Sequence, residues 1–478
     1  MARRWLLLSV LLTALFVAAG CGGGTSTPPP TTTPTIRVTI SPATTNLLVR
    51  TARQFTAAVT NASNTAVTYT VLQGNAGGNI LNTGEYLAPA AAGVYTVRAA
   101  SVADPSKFAD ATVTVRDYEA NVTPGAQPAD GYDYHTASLL PDDSILVVGG
   151  KGIDEPIHKQ AQRYVASSNS WQPDASLATA RMQHAAFSLG DGKVVISGGY
   201  DPNVTGTPFD PVFKSTEVYD PAAKAFAPGP EMNFPRRMHV VTQLKDSRFL
   251  ITGGIQLRGN DFGATMNTEI YDPTSDTFIA GKTMTDGRWL HTATLLPDGR
   301  VLIVGGRNNN CTGQCPIFSL RTAEIFDPAT GNFTATGSMT YSRYNHTATL
   351  LPDGRVLILG GETTEDVGTG NDQVPAAELY NPVTGTFTTW TNLALPRSSH
   401  AVTLLNNGKL WLTGGFRSSG LATNRTELFD PATGVSVEGP TLAEFHVRHG
   451  AIRLSNGHVV IVAGSNGNQP MAHTEILK

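Results

Sequence analysis

The side chains best placed to do chemistry form a series. Histidines at His135, His184, His239, His291, His346, His400 and His449 recur along the chain at intervals of about 50 residues. Arg181, Arg236, Arg288, Arg343 and Arg397 stand three residues before five of them, while Tyr132 and His446 take that place in the two outer units. A ring of arginines and histidines could form a cationic funnel for an anionic or sugar ligand. The same regularity supports a structural reading. A residue repeated with its surroundings can be held by a repeated partner, here the glutamate of a Glu-x-aromatic step at Glu217, Glu269, Glu324, Glu378 and Glu427. Specific recognition calls for positions that break the pattern, namely Tyr132, Tyr134, Trp289, Tyr341, Tyr344 and His446. The candidate ligand-binding rim therefore comprises Tyr132, Tyr134, Arg181, Arg236, Arg288, Trp289, Arg343, Tyr344, Arg397 and His446.

Other chemistry is sparse. Three cysteines occur in 478 residues. Cys311 and Cys315 enclose a glycine-containing turn and, in an oxidising compartment, point to a local disulfide. Glu362, Glu365, Asp366 and Asp372 fall in one loop and could hold a cation, but they read more simply as a solvated acidic loop. No nucleophile motif, phosphate-binding loop or His-Glu-x-x-His site is present, so no catalytic residue, metal or cofactor is assigned. A net charge of −4 without a basic cluster argues against nucleic acid as a partner.

The elements that must position the series are strands. In the best-preserved unit an alternating run, His346 to Leu351, meets the turn Pro352-Asp353-Gly354, and a continuous apolar run from Val356 to Leu359 ends on Gly360-Gly361. After a loop of variable length come the Glu-x-aromatic step ending at Tyr380 and, seven residues on, Phe387. Tyr164 with Trp171, Tyr219 with Phe226, Tyr271 with Phe278 and Phe326 with Phe333 repeat that spacing. A glycine doublet followed by two spaced aromatics resembles the kelch repeat, of both eukaryotic kelch proteins and the galactose oxidase central domain. The resemblance implies an all-β fold with a seven-bladed kelch-type β-propeller over residues 117–478. Its seventh unit lacks a fourth strand, which residues 117–124, centred on Tyr118 to Thr123, are expected to supply and so close the ring. The variable loops, together with the links that carry the Arg-x-x-His step, should emerge on one face.

Upstream, Arg3 and Arg4 precede an apolar run from Trp5 to Ala19, an export signal over residues 1–20. Ala18-Ala19-Gly20-Cys21 resembles the lipobox of bacterial lipoproteins, which implies cleavage before Cys21 and a lipid on its thiol. Residues 21–35, rich in Gly, Thr and Pro, read as a tether. Residues 36–116 resemble a bacterial Ig-like domain, a small β-sandwich acting as a spacer, with Tyr69 where many such sandwiches bury a tryptophan.

Together these expectations describe a monomeric, extracytoplasmic protein, lipid-anchored to a bacterial outer membrane or cell surface and touching the membrane only through that lipid. Its propeller would recognise a glycan or protein and carry no cofactor. The enzymatic alternatives implied by the resemblance are a galactose-oxidase-like carbohydrate oxidase and a sialic-acid mutarotase. The first needs copper held by two tyrosines and two histidines, with a cysteine bonded to one tyrosine. Tyr134-His135 imitates only part of that set.

Overall fold

The computed structural model describes residues 34–116, 121–154, 156–204, 212–258, 261–309, 317–365, 373–417 and 420–478. The expected signal, Cys21, most of the tether, Tyr118, the Cys311–Cys315 pair, Asp366 and Asp372 lie outside them.

Seven four-stranded antiparallel sheets follow one another as propeller blades. Blade 5 serves as the pattern. Its strands Thr347–Leu350, Val356–Leu359, Ala376–Asn381 and Thr386–Asn392 run from the centre outward. The second strand of every blade is wholly buried, as with Ile145–Val148, Val194–Ser197 and Val301–Val304. Sandwiched between neighbouring blades, it is apolar on both faces, which explains the unbroken hydrophobic runs. The aromatics seven residues apart become cross-strand partners around the outer hairpin: Tyr380 lies opposite Phe387 with ring centroids 4.8 Å apart, and Tyr219 opposite Phe226 at 5.0 Å.

Blade 7 joins the two ends of the repeat region. Gly450–Arg453, Val459–Val462 and Thr474–Leu477 come from the end of the chain, and Val122–Pro124 pairs outside them, with Val122 opposite Leu477. The inner strands of blades 7 and 1 lie side by side, completing the ring.

The glycine doublets sit at the seams. The N–H of each second glycine donates to the backbone carbonyl at the arginine position of the next blade, from Gly150 to Arg181 round to Gly464 to Tyr132, at 2.7–2.9 Å in all seven seams. Both glycines of Gly360-Gly361 have left-handed φ, 60° and 99°, and a Cβ on Gly360 would strike the Arg397 carbonyl. The doublet is thus the price of bringing two blades into backbone contact.

The small domain packs a four-stranded sheet, ordered Thr44–Leu48, Phe108–Arg116, Gly93–Ser101, Val67–Val71, with a two-stranded and a three-stranded sheet. Phe55 and Tyr86, both fully buried, fill its core beside Val97, Val113 and Val115. Tyr69, expected at the centre, is half-buried at the margin of that core.

Candidate functional site

The Arg-x-x-His step enters each blade just before its inner strand, and the structure separates the roles of its four positions. The arginine turns into the blade. Arg343 Nη1 donates to the carbonyls of Gly360 at 2.8 Å and Ala376 at 3.0 Å, and its Nη2 reaches Glu378 Oε1 at 2.6 Å. Glu378 also accepts the backbone N–H groups of Thr340 and Tyr341. The same pairs recur as Arg181–Glu217, Arg236–Glu269 and Arg288–Glu324 at 2.9–3.0 Å. In blade 7 His446 reproduces the set, Nδ1 lying 3.0 Å from the Ala463 carbonyl and Nε2 3.1 Å from Glu475. In blade 1 Gln162 Nε2 donates to the Tyr132 hydroxyl at 2.6 Å. Blade 6 is looser. Arg397 bonds the Gly414 and Arg425 carbonyls, but its Nη2 and Glu427 Oε2 lack partners. Burial accordingly drives Arg397 down to about 10 and Glu427 upward.

These contacts correct the expected rim. Arg181, Arg236, Arg288, Arg343, Arg397 and His446 are all fully buried, and Tyr132 nearly so. A guanidinium removed from water must keep its carboxylate and carbonyl partners, so none of the five arginines is presented to a ligand. Trp289 and Tyr344 are also buried: Trp289 packs with Ile255 and Ala264, and the Tyr344 hydroxyl donates to Glu362 at 2.5 Å.

The histidines are held neutral. Burial, reinforced by the arginine three residues earlier, lowers His184 to about 3, and burial alone takes His135 to about 4. His239, His291, His346 and His449 lie well below the usual value, and His400 is near 3. Six of the seven place Nε2 2.8–3.2 Å from a hydroxyl of the preceding blade, such as Thr292 for His346 and Ser197 for His239. The cationic funnel is therefore absent from this ring.

What the mouth presents is the residue just before each histidine. Tyr134, Gln183, Met238, Leu290, Asn345, Ser399 and Arg448 all have left-handed φ, between 51° and 57°. Backbone hydrogen bonds pass from blade to blade through them: Gln183 N–H to the Tyr134 carbonyl, Met238 to Gln183, Asn345 to Leu290, Ser399 to Asn345 and Arg448 to Ser399. The strained backbone is the same in each blade, but the seven side chains differ. They line a cavity of about 370 Å³, with the histidines behind them. Of the expected rim, only Tyr134 lines it. Arg448 binds Asp133 through two 2.8 Å hydrogen bonds and lies 4.5 Å above the Tyr134 ring. Sequence reading passed over Gln183, Met238, Leu290, Asn345, Ser399 and Arg448. The available signal was a column of the repeat where no two units agree, directly before the histidine column in which all seven do; the column before it, from Asp133 to Val447, varies as fully but is mostly buried.

Farther out, the second residue of the step bridges to the residue after the glycine doublet, as in Trp289 with Arg307 and Tyr344 with Glu362. Arg237 lies 4.1 Å over the Tyr200 ring and 5.0 Å from Phe262, and Arg307 lies 4.3 Å over Tyr344. The variable loops extend from these positions, two of them as short hairpins pairing Ile255–Arg258 with Asp261–Ala264 and Arg307–Asn308 with Phe318–Ser319. In the acidic loop, Glu365 pairs with Arg321 at 2.9 Å and Glu362 accepts from Tyr344 and Ser398. Among the described residues no three His, Cys, Asp or Glu side chains converge as a metal site.

No protein-family profile matches the chain. It is 25% identical over 306 residues to alpha-scruin of Limulus polyphemus, covering 62% of this chain and 32% of that protein. It is 26% identical over 317 residues to galactose oxidase of Gibberella zeae, covering 62% of this chain and 44% of the other. Both matches span less than half the relative's own length. A fungal alcohol oxidase solved in complex with copper shares the fold, with a TM-score of 0.56 at 16% identity over 74% of this chain and 76% of that one. By its sheet order and by these likenesses, the chain carries a kelch-type β-propeller similar to that of galactose oxidase.

Proposed function

We propose that this is a binding protein of the bacterial cell envelope, lipid-anchored through Cys21 and recognising a glycan or protein ligand at the propeller mouth. One observation carries the reading: on the same left-handed backbone in every blade, and directly before a histidine that every blade shares, the seven side chains lining the mouth are all different. A cavity of mixed apolar and polar lining on a rigid ring is a common form of ligand site. The anchor rests on Arg3-Arg4, the apolar run, Ala18-Ala19-Gly20-Cys21 and the tether.

The oxidase alternative fits the described residues poorly. Six of the seven repeat histidines hold Nε2 against a hydroxyl of the adjoining blade, and Tyr134 lies beneath Arg448. Among the described residues no three His, Cys, Asp or Glu side chains converge at the mouth as a metal site.

The test is binding of the full chain to glycan and peptide arrays, with Gln183, Asn345 and Ser399 replaced together by glycine. Glycine keeps the left-handed backbone and removes only the side chains. Binding is expected to weaken about a hundredfold. Unchanged binding by the triple variant, or stoichiometric tightly held copper with a tyrosyl-radical absorbance, would overturn the proposal.

A further inference from the structure

One seam breaks the histidine pattern. In blades 1 to 6, the two residues that face each other at the mouth end of the first and second strands include one hydroxyl, as in Thr136 opposite Val148, Ser197 opposite Ala185 and Thr413 opposite Ala401. That hydroxyl meets the histidine Nε2 of the following blade. In blade 7 the same pair is Gly450 and Val462, with no hydroxyl. The histidine that follows is His135, and among the described residues no group bonds its Nε2. The other six histidines are buried, whereas His135 retains some exposure. Its Nδ1 is buried, so Nε2 is the nitrogen left to meet a ligand in the cavity that His135 helps to line. A neutral imidazole nitrogen exchanges one hydrogen bond with a hydroxyl, as donor or acceptor according to its tautomer.

The rest of the cavity suits a partner with hydroxyls and no charge. Among the described residues the side chains of Asn345 and Ser399 make no hydrogen bond, and Gln183 accepts from Arg237 but keeps its amide N–H groups. Arg448, the one formal charge in the lining, is matched by Asp133, and the histidines are neutral. Met238 and Leu290 stand on adjacent blades 3 and 4, so one arc of the lining is apolar and the rest is polar. A sugar ring has matching parts, with apolar C–H faces and a hydroxyl edge. A peptide matches less well. Its main chain would need partners, but five of the mouth's seven backbone N–H groups already bond to the neighbouring blade.

We propose that His135 is the ligand-contacting histidine of the ring, its Nε2 bonding a hydroxyl of an uncharged sugar whose apolar face lies against Met238 and Leu290. This rests on the mouth being the binding face, as proposed above. The most direct variant restores the missing hydroxyl. Val462→Thr gives blade 7 the residue that Thr413 supplies in blade 6, and the new hydroxyl should occupy His135 Nε2 as Thr413 occupies that of His449. The full chain and its variants are compared on an array of neutral oligosaccharides, each matched by its uronic-acid and amino-sugar counterparts, with peptides alongside. Neutral sugars are expected to bind tightest, and Val462→Thr and His135→Phe each to weaken them about tenfold. The urea midpoint of Val462→Thr should stay near the parent's, which separates this loss from misfolding; should the buried threonine unfold the chain, His135→Phe reads the same contact. Undiminished binding by either folded variant would sink the His135 assignment while leaving a sugar-binding mouth. Tighter binding of the charged counterparts would sink the uncharged ligand, and binding of peptides alone would sink the sugar. Failure of every glycan and peptide to bind would overturn the mouth as a recognition face as well.

Discussion

Arg343 and Asn345 lie two residues apart and do opposite things. Arg343 is sealed inside its blade by two carbonyls and Glu378, and Asn345 faces the cavity on a strained backbone. The repeat histidines beside them carry a linkage consequence. Their folded pKa values, about 3 for His184 and His400 and about 4 for His135, lie below the unfolded value near 6.5. Between those limits the unfolded chain binds more protons, so stability must fall as pH drops below about 6.5 and stay level in this respect above it. Each histidine contributes up to about 1.4 kcal/mol per pH unit in that window. Urea midpoints measured from pH 7.5 to 4.5 should decline steadily below 6.5. A flat profile would mean that the ring titrates freely.

At the scale of the element, the blade pattern was legible because its causes are local: hairpin turns, buried second strands and aromatics that meet across one turn. The exceptions were harder to read because their compensation comes from another blade. Blade 6 has Ser436 opposite Phe429, where blades 1 to 5 have an aromatic pair. Trp390, on the unusually long fourth strand Thr386–Asn392 of blade 5, meets Phe429 edge-on, with centroids 5.7 Å apart. Trp390→Ala should therefore cost about 2 kcal/mol despite its partial exposure, with blade 6 becoming the first region to lose hydrogen-exchange protection. Protection lost first in blade 5 alone would show that Trp390 serves only its own sheet.

In the whole molecule, each blade hands a backbone hydrogen bond to the next, and the seam between blades 7 and 1 adds further contacts. There Arg448 binds Asp133, Ser455 binds Asp143, and the Trp171 indole N–H reaches Thr474. The ring could be counted from the sequence because each blade is one period. The site could not, because side chains far apart in sequence converge only when the ring is closed, and burial decides which residues of the Arg-x-x-His step face out. Conspicuous repetition drew the candidate rim toward the arginines, whereas the cavity is lined by the unrepeated residues just before the histidines. The central claim, that the repeated arginines hold the scaffold and the unrepeated residues just before the histidines face the proposed ligand, is tested most directly by urea unfolding of Arg343→Met and Asn345→Gly. Arg343→Met, which strands a buried glutamate, is expected to lose about 3–5 kcal/mol. Asn345→Gly should stay within about 1 kcal/mol of the parent, because its left-handed backbone suits glycine. A harmless Arg343→Met, or an Asn345→Gly that unfolds the protein, would contradict the account.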